Sequence, residues 1–432
     1  MIYILGPANV ATGGTELLHQ LGYKLNLLGI PSCMYYLNRT EGKDPVCKRF
    51  KFYNVPYVDK LEGSKENIVI IPEIYIPHIV ELEIFRCAIW WLSVDNAIYQ
   101  PSDIDYIRQH PEITHLVQSQ YALDFLNNTI HISDNVFYLS DYINGAFFRG
   151  EGRKDTIRTN TVLFNPSKGR VKTFELISNS DYRIHWQALA GLTPDGMRDV
   201  MRQAKVYIDF GNHPGKDRIP REAAVSGCCI VTNKQGSAGN DIDVPIPEQY
   251  KFDENSDPKE ALECICRLLD QYDTRKEDYY DYVKKISNEY IEFEKDVAVI
   301  FGKMTESVLP EFSSGDEYLQ KILHEIEDEN YSEALKILIS YRVQGYEESL
   351  EIDVIETAIR IGLGEYPEAE LCANRGLKKE PENYELYMDL AQVCYLSGRM
   401  EESREYSHLA VEYSSGTDDE ETVKQICSNF LQ

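Results

Sequence analysis

The stretch "YIDFGNHPGKDRIPREAAVSGCCIVT", residues 207–232, decides how the chain is read. With Lys205 and Val206 before it, "YIDF" forms a strand of the buried type, and "CCIVT" forms a second. Between them, a loop containing Gly211 and Gly215 runs into Lys216, Asp217, Arg218 and Arg221, then into an apolar segment that stops at Gly227. Strand, loop, helix and strand in that order make a βαβ unit, the building block of a parallel sheet. Asp217 stands where a helix cap is expected, and Pro220 in the first turn is tolerated because the N–H it lacks would be unpaired there anyway. A helix N-terminus presents unpaired N–H groups and the positive end of a dipole, so an anion fits beside Gly215, Lys216 and Arg218. The competing reading is a capped helix with solvated arginines.

The chain around this unit is long and acidic. At 432 residues it exceeds one ordinary core, and a hydrophobic share of 43% excludes a disordered protein. The net charge of −27 argues against a nucleic-acid-binding surface, which needs a basic face. Ten cysteines include no CxxC pair and no Cys/His spacing for zinc, so buried free thiols are expected. "MIYILGPANVATGG" has no basic leader and reads as a first strand, and no run approaches the length of a membrane span. These features imply a cytoplasmic protein, with peripheral attachment at the inner face of a membrane left open.

Working outward, residues 1–150 alternate the strands "IYIL", "SCMYYL", "NIVIIP", "CAIWWLSV", "THLVQS" and "VFYLS" with helical patterns. The clearest of these helices carries Leu17, Leu18, Leu21, Leu25 and Leu28 before Gly29. The polar segment 147–160 is the expected linker, and residues 151–312 repeat the strand–helix alternation. Two Rossmann-like α/β domains facing a cleft follow, and ligands of such folds lie in the cleft. From 313 to 432 no strand is expected. Gly364 and Gly398, Ala369 and Ser403, and Pro381 and Ser415 are each 34 residues apart, the period of helix–turn–helix repeats of the tetratricopeptide kind. A third, all-α repeat domain is therefore expected.

Two further loops belong with the opening stretch. "FNPSKGRVKTF" (164–174) places Lys168 and Arg170 at the end of the first strand of the second domain. Strand ends of a parallel sheet share one edge, so this loop and the 211–218 loop form a pair of cationic loops suited to a diphosphate. In the first domain, Gly13 and Gly14 lie between the first strand and first helix, with Thr12 or Thr15 as cap. Neither GxGxxG nor GxxxxGK[ST] is present.

Over residues 1–310 these motifs resemble those of GT-B glycosyltransferases of the retaining, nucleotide-sugar-dependent kind. "GGTEL" resembles the family's early Gly-Gly loop, "NPSKGR" its loop at the donor diphosphate, and "PREAAVSGCCIVT" its ribose-binding segment. The resemblance implies that Glu222 holds the ribose hydroxyls. It implies that Gly13, Gly14, Lys168, Arg170, Gly215, Lys216, Asp217 and Arg218 surround the donor, and that no cofactor or metal ion is required. It departs from the family at Pro214, which stands eight positions before Glu222 where a sugar-contacting glutamate is usual; His213 or Asp217 is the expected replacement. Asp95, in "WWLSVDN" (90–96), is the candidate acceptor-side catalytic group, alongside His213. "DID" at 241–243 lies after the donor loop, outside the strand–loop setting of a metal-binding DxD. The function implied is hexosyl transfer from a nucleotide sugar to a polysaccharide, glycolipid or protein acceptor, with the repeats available to a protein partner. A catalytically inert GT-B-like scaffold subunit and a nucleotide-sugar epimerase are the alternatives.

Overall fold

The computed structural model describes residues 1–148 and 157–430. The expected linker, 147–160, falls largely outside them. By their contacts, residues 1–143 and 157–307 form one compact unit, and residues 144–148 and 308–430 form another.

The first unit is built on two parallel sheets. One contains β1 (Ile2–Pro7), β2 (Ser32–Leu37), β3 (Tyr57–Val58), β4 (Ile68–Pro72), β5 (Arg86–Trp91), β6 (Thr114–Val117) and β7 (Val136–Tyr138), in the order β3-β2-β1-β4-β5-β6-β7. The other contains β8 (Thr159–Phe164), β9 (His185–Ala188), β10 (Ala204–Asp209), β11 (Cys229–Asn233) and β12 (Lys251–Phe252), in the order β12-β11-β10-β8-β9. Each sheet grows first to one side of its opening strand and then to the other. The order reverses beside β1 and beside β8, and that is where a crevice opens at the carboxyl ends of the strands.

Helices α1 (Gly13–Leu27), α2 (Pro101–Gln109) and α3 (Gln120–Phe125) belong to the first sheet, and α4 (Arg170–Asn179), α5 (Pro194–Gln203), α6 (Arg218–Val225), α7 (Pro258–Asp270) and α8 (Tyr272–Arg275) to the second. The leucine stripe read from the sequence puts Leu17, Leu18, Leu21 and Leu25 of α1 in the core. Thr12 is the cap: its Oγ1 accepts from the Thr15 N–H at 3.3 Å, while Thr15 Oγ1 accepts from the Thr12 N–H at 2.8 Å. The last helix of this unit, α9 (Tyr280–Thr305), returns from the second sheet to pack on α1, where Lys24 Nζ meets Glu294 Oε1 at 2.8 Å with both groups buried.

The second unit is helical, as expected: α10 (Gly315–Glu327), α11 (Tyr331–Val343), α12 (Leu350–Gly362), α13 (Tyr366–Lys379), α14 (Tyr384–Leu396), α15 (Met400–Tyr413) and α16 (Glu420–Ser428). The turns of its first three helix pairs each hold one residue in left-handed backbone. Gly364 (φ +73°) and Gly398 (φ +74°) serve the second and third pairs, and Glu329 (φ +59°) does the same for the first without the freedom of glycine. Among the described residues no helix is long and apolar enough to cross a membrane. All ten cysteines are free; Cys47 and Cys266 are half-buried and the others buried.

Candidate functional site

A cavity of about 570 Å³ lies between the two sheets. The first domain contributes the α1 entry turn (Thr12–Glu16), Arg49, Glu73 and Ser93; the second contributes Asn165, Lys168 and the run Gly215–Glu222, apart from Arg221. The loops that follow β1, β4, β8 and β10 all reach it, as the reversals of strand order require. Of the residues expected from sequence, Gly13, Gly14, Lys168, Gly215, Lys216, Asp217, Arg218 and Glu222 come together on its wall.

Glu222 sits in the second turn of α6, 7% exposed, and no described group hydrogen-bonds its carboxylate. Burial pushes its pKa up to about 7, against the lowering pull of Arg218 and Arg221. Glu222 lines the cavity, so its carboxylate is available to accept from a ligand there.

Asp217 corrects one expectation. It occupies the cap position of α6, yet its side chain makes no cap bond. Its carboxylate turns instead to Lys168, with Nζ–O distances of 2.8 and 2.7 Å, and to His213 Nδ1 at 2.8 Å. An ammonium and an imidazole outbid a backbone N–H because the contact is charge-assisted. The N–H groups of Arg218 and Ile219, both on the cavity wall, are thus left without a side-chain cap, and Pro220 beside them has none to satisfy. Burial opposes the charged form of both side chains, but the bond between them and the nearby charges prevail: the Asp217 pKa is lowered and that of His213 raised.

His213 is therefore a buried supporting group, 2% exposed, and not part of the cavity wall. Asp209, His213 and Asp217 offer donor atoms within 4.8 Å of one another, a set with metal-binding geometry. Those donors are already engaged. Asp209 accepts from Tyr207 Oη at 2.9 Å and from the Gly211 N–H at 3.0 Å, and the Lys168 ammonium occupies Asp217.

The cations of the opening stretch have protein partners. Arg218 reaches into the first domain, with Nη1 2.7 Å from Glu16 Oε2 and Nη2 2.8 Å from Gln20 Oε1. Lys216 Nζ lies 2.8 Å from Glu289 Oε1 and donates to Ser140 Oγ at 2.6 Å. Arg221, 1% exposed, makes 2.6 Å contacts to both Asp141 and Glu289. Asp141 follows β7 and Glu289 lies on α9, so Lys216 and Arg221 join two crossings of the chain. The cluster of positive charge that stood out in an acidic sequence is largely neutralised inside the fold.

Gly215, on the cavity wall, is also a point of tight packing between the domains. A Cβ there would lie 1.9 Å from the Leu92 carbonyl oxygen. Gly215 pairs with Ser93 in an isolated antiparallel bridge, and the Val94 N–H donates to the Pro214 carbonyl at 2.9 Å. Pro214 thus contributes its carbonyl, which any residue could supply, to a backbone junction between the domains. Asp95 lies on the same junction, exposed and off the cavity wall, accepting from Tyr121 Oη at 2.9 Å and Asn212 Nδ2 at 3.0 Å. Arg170 opens α4 and donates to the Pro166 carbonyl at 2.7 Å; it too lies off the wall.

Glu73 and Arg49 are among the wall residues that the sequence reading missed. Glu73, 3% exposed, accepts from the Leu92 N–H at 3.1 Å, and burial raises its pKa to about 7. It directly follows the apolar run "NIVIIP", and an acid at the carboxyl end of a buried parallel strand was the available signal. Arg49 lies in the 3₁₀ segment Lys48–Tyr53, within "KRFKFY", a basic and aromatic run between two short strands.

No protein-family model matches the chain, and no curated protein matches it. Solved structures do resemble it. A glycosyltransferase from Rickettsia africae ESF-5 superposes with a TM-score of 0.53 at 12% identity, over 71% of this chain and 99% of that one. Sucrose-phosphate synthase from Thermosynechococcus elongatus does so with a TM-score of 0.51 at 12% identity, over 71% and 99%. At these identities the likeness is one of fold: the paired α/β domains have the GT-B architecture, followed here by a helical-repeat region.

Proposed function

We propose that the protein is a glycosyltransferase that moves a hexosyl group from a nucleotide-diphosphate sugar to a hydroxyl of a glycan, glycolipid or protein acceptor. The observation that carries this reading is Glu222, an unpartnered carboxylate in the interdomain cavity one turn from the open N-terminus of α6. A carboxylate accepts from two vicinal hydroxyls such as those of ribose, and the free N–H groups beside it suit the phosphates that follow.

The chemical task is to stabilise a departing nucleoside diphosphate and the positive charge growing on the sugar. Preorganised N–H groups and cations at a cavity wall serve the first, since they need no reorganisation as charge develops. Glu73, a first-domain carboxyl on the same cavity wall, is suited to hold the acceptor hydroxyl or its proton. Closure of the domains over the cavity would exclude water, which would otherwise take the sugar. Retention of configuration, independence from metal ions and a protein partner on the helical repeats belong to the same proposal.

A second reading, an inert GT-B-like scaffold subunit, is favoured by one observation: Lys168, Lys216 and Arg218 are all neutralised by protein carboxylates. Calorimetry with UDP, GDP and ADP, on wild type and Glu222→Ala, separates the two. The enzyme reading expects one nucleotide to bind and Glu222→Ala to lose that binding. Binding of none by the wild type sinks it, and hydrolysis of a nucleotide sugar by the pure protein sinks the scaffold.

A further inference from the structure

Among the described residues, four cationic side chains line the cavity: Arg49, Lys168, Lys216 and Arg218. Three are committed, to Asp217, to Glu289 and Ser140, and to Glu16 and Gln20 respectively. Arg49 makes no ion pair or hydrogen bond with any described residue, and it is exposed.

Its backbone, by contrast, is firmly placed. Phe50 is buried with its ring 4.8 Å from that of His19 on α1, and His19 is fixed by the Thr15 carbonyl at 2.6 Å and Tyr36 Oη at 2.7 Å. Tyr53 donates to Glu16 Oε1 at 3.1 Å. Two anchors to α1 therefore hold the 3₁₀ segment, and between them the guanidinium is left free at the cavity. The surroundings are also unusual in charge. Residues 39–51 carry five basic and two acidic side chains, net +3 (5 − 2), in a chain of net charge −27. Arg49 is close enough to Glu222 for its charge to act on that carboxyl.

We infer that Arg49, from the first domain, is the cation that meets the donor's diphosphate. This rests on the glycosyltransferase reading above. An ion-paired lysine or arginine gives an incoming anion only what remains after parting from its carboxylate. A free guanidinium gives up water alone and offers a planar fork that matches phosphate oxygens in pairs. Because the ribose acceptor Glu222 belongs to the second domain and Arg49 to the first, the donor bridges the two.

The test uses the full chain, with UDP, GDP and ADP and the corresponding nucleosides as probes, titrated by calorimetry at low and high salt. Arg49→Ala is expected to weaken nucleoside diphosphate binding at least tenfold and to flatten its salt dependence, with the nucleoside unaffected. Arg49→Lys should recover part of the loss. Equal diphosphate affinity in wild type and Arg49→Ala overturns the inference while leaving the transferase reading intact. So does an equal loss for nucleoside and diphosphate, which would mark a general disturbance of the cavity. Failure of the wild type to bind any nucleoside diphosphate overturns both. Since the side chain is exposed and unpaired, the unfolding temperature of Arg49→Ala should match that of wild type.

Discussion

Gly215 lies against Leu92 so closely that a single added carbon would stand 1.9 Å from the Leu92 carbonyl oxygen. The glycine belongs to the second domain and the leucine to the first, so the closeness of the domains at this point depends on a missing side chain. Gly215→Ala must push the two backbones apart. It is expected to cost at least ~1–3 kcal/mol of stability, the usual penalty for overpacking, seen as a lowered unfolding temperature. A variant as stable as wild type would show that the junction yields freely.

Asp217 places a negative charge on the wall of a cavity proposed to take an anion, and it holds Lys168 while doing so. Asp217→Asn should tighten nucleoside diphosphate binding several-fold, because repulsion is removed and the lysine released. It should also lower stability, because His213 loses a charged acceptor. Lys168→Ala should act the opposite way and weaken binding, because it leaves the Asp217 charge on the wall without its ammonium. Calorimetric titration of both variants reads the two signs directly.

The Glu222 carboxyl, with a pKa near 7, is about half protonated at neutral pH. Ribose hydroxyls donate to the ionised form and lower that pKa. Nucleotide binding at pH 7 should therefore release about half a proton, measurable as a dependence of the binding heat on the buffer's ionisation enthalpy. Glu222→Gln should abolish the release.

Glu73 carries a pH-dependent contribution to stability. Folding raises its pKa from 4.5 to about 7 through burial, so the fold favours the neutral acid. That contribution is fully present below pH 4.5 and is lost as the pH rises through 7. Glu73→Gln, which stays neutral, is expected to exceed wild type in stability at pH 8 by an amount on the order of 3 kcal/mol, with the advantage vanishing near pH 4.5. Thermal unfolding across that range shows whether it does.

The architecture was legible because its signals are local. The leucine spacing of α1, the alternation of apolar runs with helices and the 34-residue interval each state a fold element within a few dozen residues. The site was legible only as far as main-chain logic extends: the Lys168 loop and the α6 entry had to lie at strand ends, and they do. Partnership was not legible. Arg218 reads as a free cation until Glu16, some 200 residues earlier, is folded beside it. Arg49 reads as one of several surface charges until its neighbours on the cavity wall prove to be paired. The same holds for Asp217, whose place as a helix cap was clear but whose carboxylate follows two partners, one of them, Lys168, distant in sequence.

The hydrogen bond from Val94 to Pro214 has a practical corollary. It spans the junction between the domains and is made of main chain alone. Separation of the domains must expose the Val94 amide to water, so its deuterium uptake is a built-in clock for opening. Measured with and without nucleotide, that single amide reports how often the cavity is unsealed and whether a ligand holds it shut.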